Sequence, residues 1–284
     1  MVARPKRDQA REKPSNEKGK PRKLSDITIH SVTKHLTSFV IGNAKPHCIK
    51  AWTERLGYAL PFDKIFRSFG TPLSDATEER QWRKLVHRAT FVRNRDPHAP
   101  TKKCRLCGQT DESILHIIRC EKAKPLWRES IRFCTEVLNA PTPTITPYAI
   151  IFGMVDGTKL LPEEARAFLR HVYNHYYHDF ANVEIKGVAF HPITTFDRAI
   201  RSFRDAVYRY GMKMKILYAS RKYTTLNGTA PKEARERYPS LITVGTDGSF
   251  AITAEFQRAL DQSKEDVETY QRTLTATHNN TGRN

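Results

Sequence analysis

Residues 104–120 read CRLCGQTDESILHIIRC and set Cys104, Cys107, His116 and Cys120 in a C-x2-C-x8-H-x3-C array. No other feature of the chain constrains its fold as tightly. Gly108 follows the first pair at once, which suits a tight turn converging two thiolates on one ion; on a helical reading of 112–138, His116 and Cys120 fall at i and i+4 and share a face. A loop pair and a helix pair complete a tetrahedron. Four protein ligands close the coordination sphere, whereas hydrolytic zinc keeps a position for water, so the array predicts one structural Zn2+. A catalytic alternative would require one of the four to drop out and Asp111 or Glu112 to act as base. Lys102, Lys103, Arg105 and Arg119 surround the array, and their positive field is expected to lower the thiol pKa values and offset three thiolate charges.

Cys48 and Cys134 stand outside the array and read as core thiols, so cysteine usage points to a reducing compartment rather than a disulfide framework. At 284 residues with 39% apolar content, the chain can bury one sizeable core or two small ones. No run approaches the roughly 18 apolar residues that span a bilayer, and the N-terminus lacks an apolar signal segment. The expectation is an intracellular protein without a membrane partner. A net charge of +18 favours a polyanionic one.

Residues 1–24 are rich in Arg, Lys, Glu and Pro, with too little apolar surface to offset the entropy of ordering, and read as a disordered basic tail. RPKR at 4–7 and KGKPRK at 18–23 fit nuclear-import or nucleic-acid patches, placing the protein in the nucleus rather than the cytoplasm. A helical lead-in over 25–99 follows, with apolar residues at helical spacing from Ile29 to Val40, from Ile49 to Leu56, and from Trp82 to Val92. The metal-binding module occupies 100–140, where Leu126, Trp127, Ile131, Cys134 and Val137 extend the ligand helix and Trp127 reads as core. APTPTITP at 140–147 is a linker, and YAIIFGMV with Asp156-Gly157 is a hairpin or buried connector.

A second helical region spans 148–225, and 226–284 reads as a hairpin, a helix and a flexible tail. The helix at about 162–182 carries His171, His175 and His178 with Asp179, a set better explained by packing than by a second metal. The fold class predicted is therefore mainly α, a Cys3His-stapled module joined to a second helical region behind the tail. Two basic faces complete the pattern. Arg83, Lys84, Arg88, Arg93, Arg95, Lys102, Lys103 and Arg105 precede or enter the array, and Arg198, Arg201, Arg209, Lys213 and Lys215 flank the later helix, continued by Arg221 and Lys222; both sets are expected to contact phosphates.

The segment from CRLCG through Glu112-Ser113, His116 and Cys120 to Trp127 resembles the zinc-binding domain downstream of the polymerase in non-LTR retroelement reverse transcriptases. With the lead-in EERQWRKLVHRATFVRNRDP, the resemblance covers about 75–140. It implies a nucleic-acid-binding piece derived from, or cut out of, a retroelement protein. LITVGTDGSF at 241–250 also resembles the opening strand of an RNase H domain, with Asp247 at its first metal-binding position, although a hairpin turn accounts for the same letters.

No palm-type aspartate pair, Walker loop, dinucleotide fingerprint or nucleophile elbow is present. The reading is a zinc-dependent binder of RNA or DNA without its own catalytic centre, acting alone or within a larger retroelement polyprotein or ribonucleoprotein. Two alternatives stay open: an assembly subunit of a ribonucleoprotein, and a truncated RNase H-like nuclease remnant.

Overall fold

In the computed structural model, the residues described are 46–141, 146–219, 230–245 and 249–281. The chain divides into Met1–Pro46 and His47–Asn284. The basic tail, the Ile29–Val40 spacing, Asp247, Arg221 and Lys222 lie outside the described residues, as does the side chain of Lys215.

The second unit opens with helices α1 (His47–Leu56), α2 (Phe62–Arg67) and α3 (Ala76–Val86). Asp75 starts α3 by accepting the amides of Thr77 and Glu78 at 2.7 and 3.0 Å, while Glu78 accepts the amide of Asp75 at 2.7 Å. This reciprocal box satisfies amides that the first turn of a helix leaves unpaired, worth about 1 kcal/mol. The helix then stops at Val86, short of the Val92 that the apolar spacing anticipates. Trp52 of α1 donates its indole N–H to the Val86 carbonyl at 2.7 Å. Arg88 turns into the left-handed region at φ 59°, and Val92 is extended. Arg88 therefore lies past the helix rather than on its flank.

The single helix expected over 112–138 is in fact two, α4 (Ile114–Arg119) and α5 (Lys124–Glu136). Pro125 explains the break. A proline lacks the amide that would continue the ladder and its ring collides with the preceding turn, so it is tolerated only where a new helix begins; it occupies the first turn of α5. Cys120, with ψ at 131°, ends α4.

Beyond the linker, Tyr148–Phe152 forms one wide helical turn, closed by Gly153 at φ 64°. Met154 and Leu160 then bridge across a turn in which the Asp156 carboxylate accepts the amides of Thr158 and Lys159. The segment is thus both a buried connector and a small hairpin. Helices α6 (Glu163–Ile185) and α7 (Pro192–Ala219) pack against each other, followed by α8 (Ala230–Arg237), the antiparallel pair β1 (Ile242–Val244) and β2 (Phe250–Ile252), and α9 (Ala254–Thr281). Thr243 faces Ala251 across that pair.

Phe133 of α5, Phe168 of α6, Phe203 of α7 and Phe256 of α9 meet with ring centroids 4.3 to 6.4 Å apart. The edge and tilted geometries are those that aromatic quadrupoles favour. Ile114, Ile117 and Trp127 join the same continuous core, as do Cys48 and Cys134, the thiols expected there. Among the described residues no helix is long and apolar enough to cross a membrane. The architecture is mainly α, with a two-stranded sheet as its only strand pairing among those residues.

Candidate metal centre

The loop before α4 is a narrow hairpin: Cys104 donates its amide to Thr110 and Glu112 donates to Lys102, both at 2.8 Å. At its tip Gly108 adopts φ 67° and donates its amide to the Cys104 carbonyl at 2.8 Å, the turn that brings Cys107 back toward Cys104. The Leu106 amide points at the Cys104 sulfur at 3.4 Å. Ser113 caps α4 by accepting the His116 amide at 3.1 Å, which orients the turn carrying His116, and Cys120 follows at the end of the same helix.

The four ligand atoms converge within 4.8 Å of one another. Cys104 Sγ and Cys120 Sγ are 4.0 Å apart, and Cys107 Sγ lies 3.4 Å from His116 Nε2. A tetrahedral ion with metal–sulfur arms of about 2.3 Å sets ligand–ligand edges of about 3.8 Å, so the cluster fits one metal with little movement. Cys104 and Cys120 are fully buried, and Cys107 and His116 are partly so. This is the only grouping of three or more convergent Cys, His, Asp or Glu ligands among the described residues.

The source of thiol acidity differs from the expected one. Hydrogen bonding from Cys120 contributes most to lowering the Cys104 pKa, to about 5, with the amides of Cys107 and Leu106 adding to it. The same bond and burial push Cys120 up. The Cys120 thiol, and after it the two amides of the turn, favour the Cys104 thiolate.

Arg105 faces away from the sulfurs. Its guanidinium makes a two-pronged ion pair with the fully buried Glu112, at 2.9 and 2.7 Å, and a further one with Glu184 of α6 at 3.1 Å. It also lies 4.5 Å over the Phe180 ring. Glu112 further accepts the amides of Arg93 and Arg105 at 2.9 and 3.1 Å. Arg93 itself reaches the Lys103 carbonyl at 3.0 Å and Glu184 at 2.9 Å. These two arginines, expected at a phosphate face, instead bind the hairpin to α6. Their side chains are 5% and 13% exposed. Bidentate, charge-assisted pairing of this kind fixes orientation as well as adding energy. Tyr176 completes the attachment by donating its hydroxyl to the Ile117 carbonyl at 2.6 Å, with its ring against the buried Trp127.

The other basic residues divide by their partners. Arg198 is paired with Asp179, and Arg201 with Asp197 at 2.9 Å. Lys103 pairs with Asp111 at 3.1 Å, Arg83 lies 4.0 Å from Glu79 and over the Phe69 ring, and the Lys102 ammonium reaches the Asp96 carbonyl. Lys84, Arg95, Arg209 and Lys213 are exposed without a carboxylate partner among the described residues, and the partly buried Arg88 also has none. His171 donates its Nε2–H to the Leu73 carbonyl at 2.8 Å and places Nδ1 3.0 Å from the Ser202 hydroxyl, and the His178 ring is 3.6 Å from Asp179, an arrangement of packing and hydrogen bonds. Sequence reasoning missed the tie through Glu112 and Glu184, for which helical spacing carries no signal, and it missed Arg55, which ends α1 beside the basic loop.

Comparison with family models, with characterised proteins and with solved structures finds no match to this chain. Fold and site thus define a mainly helical protein with a Cys3His cluster whose ligands lie close enough to hold one metal ion.

Proposed function

We propose that this chain is a non-catalytic nucleic-acid-binding protein in which one structural zinc ion is held by Cys104, Cys107, His116 and Cys120. The zinc assignment rests on the donor set, since three thiolates and an imidazole in a closed tetrahedron suit that ion best. When bound, zinc supplies folding energy to the hairpin and leaves no open position for chemistry. The resemblance to retroelement zinc domains gives the same reading.

The observation that carries the binding role is the uneven use of charge. Arg105, Arg93, Arg198 and Arg201 are matched to carboxylates, while Lys84, Arg95, Arg209 and Lys213 stand exposed on a chain of net charge +18. Unmatched surface cations attract phosphate and release its counterions. Purified protein should carry about one zinc per chain by metal analysis. Its affinity for single-stranded or duplex oligonucleotides should fall with salt on a log–log slope of about 4 to 7 in magnitude, equivalent to about five to eight neutralised phosphates. A folded sample that retains neither oligonucleotide at low salt overturns the assignment.

A further inference from the structure

Outside the metal centre Arg88 and Arg95, from separate segments, are drawn together, and the charge of Arg55 reaches both. Arg55 lies in the last turn of α1, Arg88 just beyond the end of α3, and Arg95 closes the short turn Arg93–Arg95. The Arg95 guanidinium donates to the Arg88 carbonyl, which draws the two loops together. Arg88 turns back over the Trp52 ring, its guanidinium carbon 5.5 Å from the ring centroid, and its Nε is buried without a hydrogen-bond partner. It does so from a left-handed backbone conformation at φ 59°, which costs a residue with a Cβ about 1 kcal/mol.

Among the described residues, none of these guanidiniums has a carboxylate within ion-pairing distance. Glu54 is the acidic group whose charge reaches Arg88, and it pairs with Lys50 at 3.8 Å. Burial, and after it the charge of Arg55, pulls the Arg88 pKa down; burial, then Arg88 and Arg55, does the same to Arg95. Arg105 and Arg170, by contrast, are each matched to a carboxylate, Glu112 and Glu79.

Capping of helix ends accounts for only part of this arrangement. Arginines near the C-termini of α1 and α3 gain from the helix dipoles, and the Arg95 bond satisfies one carbonyl. Neither explains why the partly buried Arg88 is held at a backbone cost beside two further cations, Arg95 and Arg55. A dianionic or monoanionic phosphate would relieve the repulsion, and the planar fork of arginine matches its oxygens.

We propose that Arg55, Arg88 and Arg95 form a clamp for one backbone phosphate of a bound nucleic-acid strand. The clamp rests on the nucleic-acid reading above and gives it a position. It shares Arg88 and Arg95 with the basic face anticipated from sequence and adds Arg55, while Arg93 and Arg105 are excluded by their internal pairing.

The test uses the full chain and the exposed members, so that the fold is kept. The variant Arg55→Gln with Arg95→Gln should bind single-stranded and duplex oligonucleotides more weakly than wild type, with the salt slope reduced in magnitude by about 0.7 to 0.9, the value for one phosphate. Arg132→Gln with Arg258→Gln, which removes two exposed arginines paired with Glu129 and Glu255, should leave the slope unchanged. Inorganic phosphate at matched ionic strength should compete with the oligonucleotide in wild type and not in the clamp variant. Wild-type affinity and slope in the clamp variant, or equal phosphate competition in both, overturns the clamp while leaving the wider reading intact. Failure of wild type to bind either oligonucleotide removes both.

Discussion

The hairpin of residues 102–120 and the four-ring cluster under α5, α6, α7 and α9 are held by different physics. In the hairpin and its short helix four ligand atoms converge within 4.8 Å of one another, while Ile114, Ile117 and Ile118 face the common core. In the cluster, Phe133, Phe168, Phe203 and Phe256 exclude water without any ion. The first kind of stability depends on what is dissolved outside the protein, and is lost when a chelator competes. The second depends on how well large side chains fill space, and uses no metal ligand.

Substitution in the hairpin should separate the two regions most sharply. Cys120→Ser should abolish metal retention and remove the metal's contribution to folding, on the order of 10 kcal/mol in small zinc modules. Metal analysis and thermal melting check this, with the far-ultraviolet helix signal of α6 and α7 expected to survive. A variant that still holds one metal per chain would break the comparison. Phe168→Ala should cost about 4 kcal/mol through the cavity it leaves, read by denaturant unfolding, while metal stoichiometry at saturating zinc stays unchanged.

The smallest effect concerns pH. Burial raises the Glu78 pKa to about 7, and burial lowers that of His171 to about 4; the two lie 3.5 Å apart between α3 and α6. For Glu78, the folded state holds its proton more tightly than the unfolded chain, so its contribution falls as pH rises from about 4.5 to 7. For His171 the folded state resists protonation, and its contribution rises with pH between about 4 and 6.5. The two slopes oppose each other where they overlap. Glu78→Gln should therefore expose the histidine alone, and its stability should rise with pH across that interval more steeply than that of wild type. Identical pH profiles for the two proteins would show that the pair does not titrate in this way.

The metal ligands were legible because their chemistry is encoded in spacing: a two-residue gap bends a hairpin, and a three-residue gap returns one helical turn later. The long helices α6 and α7 were legible for the same reason, through apolar periodicity. What periodicity concealed was interruption. It carried α3 through to Val92 and fused α4 with α5, because Ala89 and Leu126 keep the apolar pattern although Arg88 and Pro125 break the backbone. The partners of charged residues were hidden more deeply. Nothing near Arg105 in sequence indicates that Glu184, on a later helix, will share its charge with Glu112. Arg105 and Arg93 had the composition of a binding face and took instead a place inside the fold.

That placement makes one thermodynamic cycle of two regions built differently. Arg105 belongs to the metal hairpin by its backbone and to α6 by its contacts with Glu184 and Phe180. Ordering the hairpin positions that guanidinium, so on the proposed metal assignment part of the free energy of metal binding would reach the far end of a 23-residue helix. Conversely, fraying of α6 at Glu184 weakens the grip on the metal. On the proposed zinc assignment, the concentration of free zinc becomes a control on how firmly a helix with no metal ligand is held, and the tightness of that helix sets how long the metal stays.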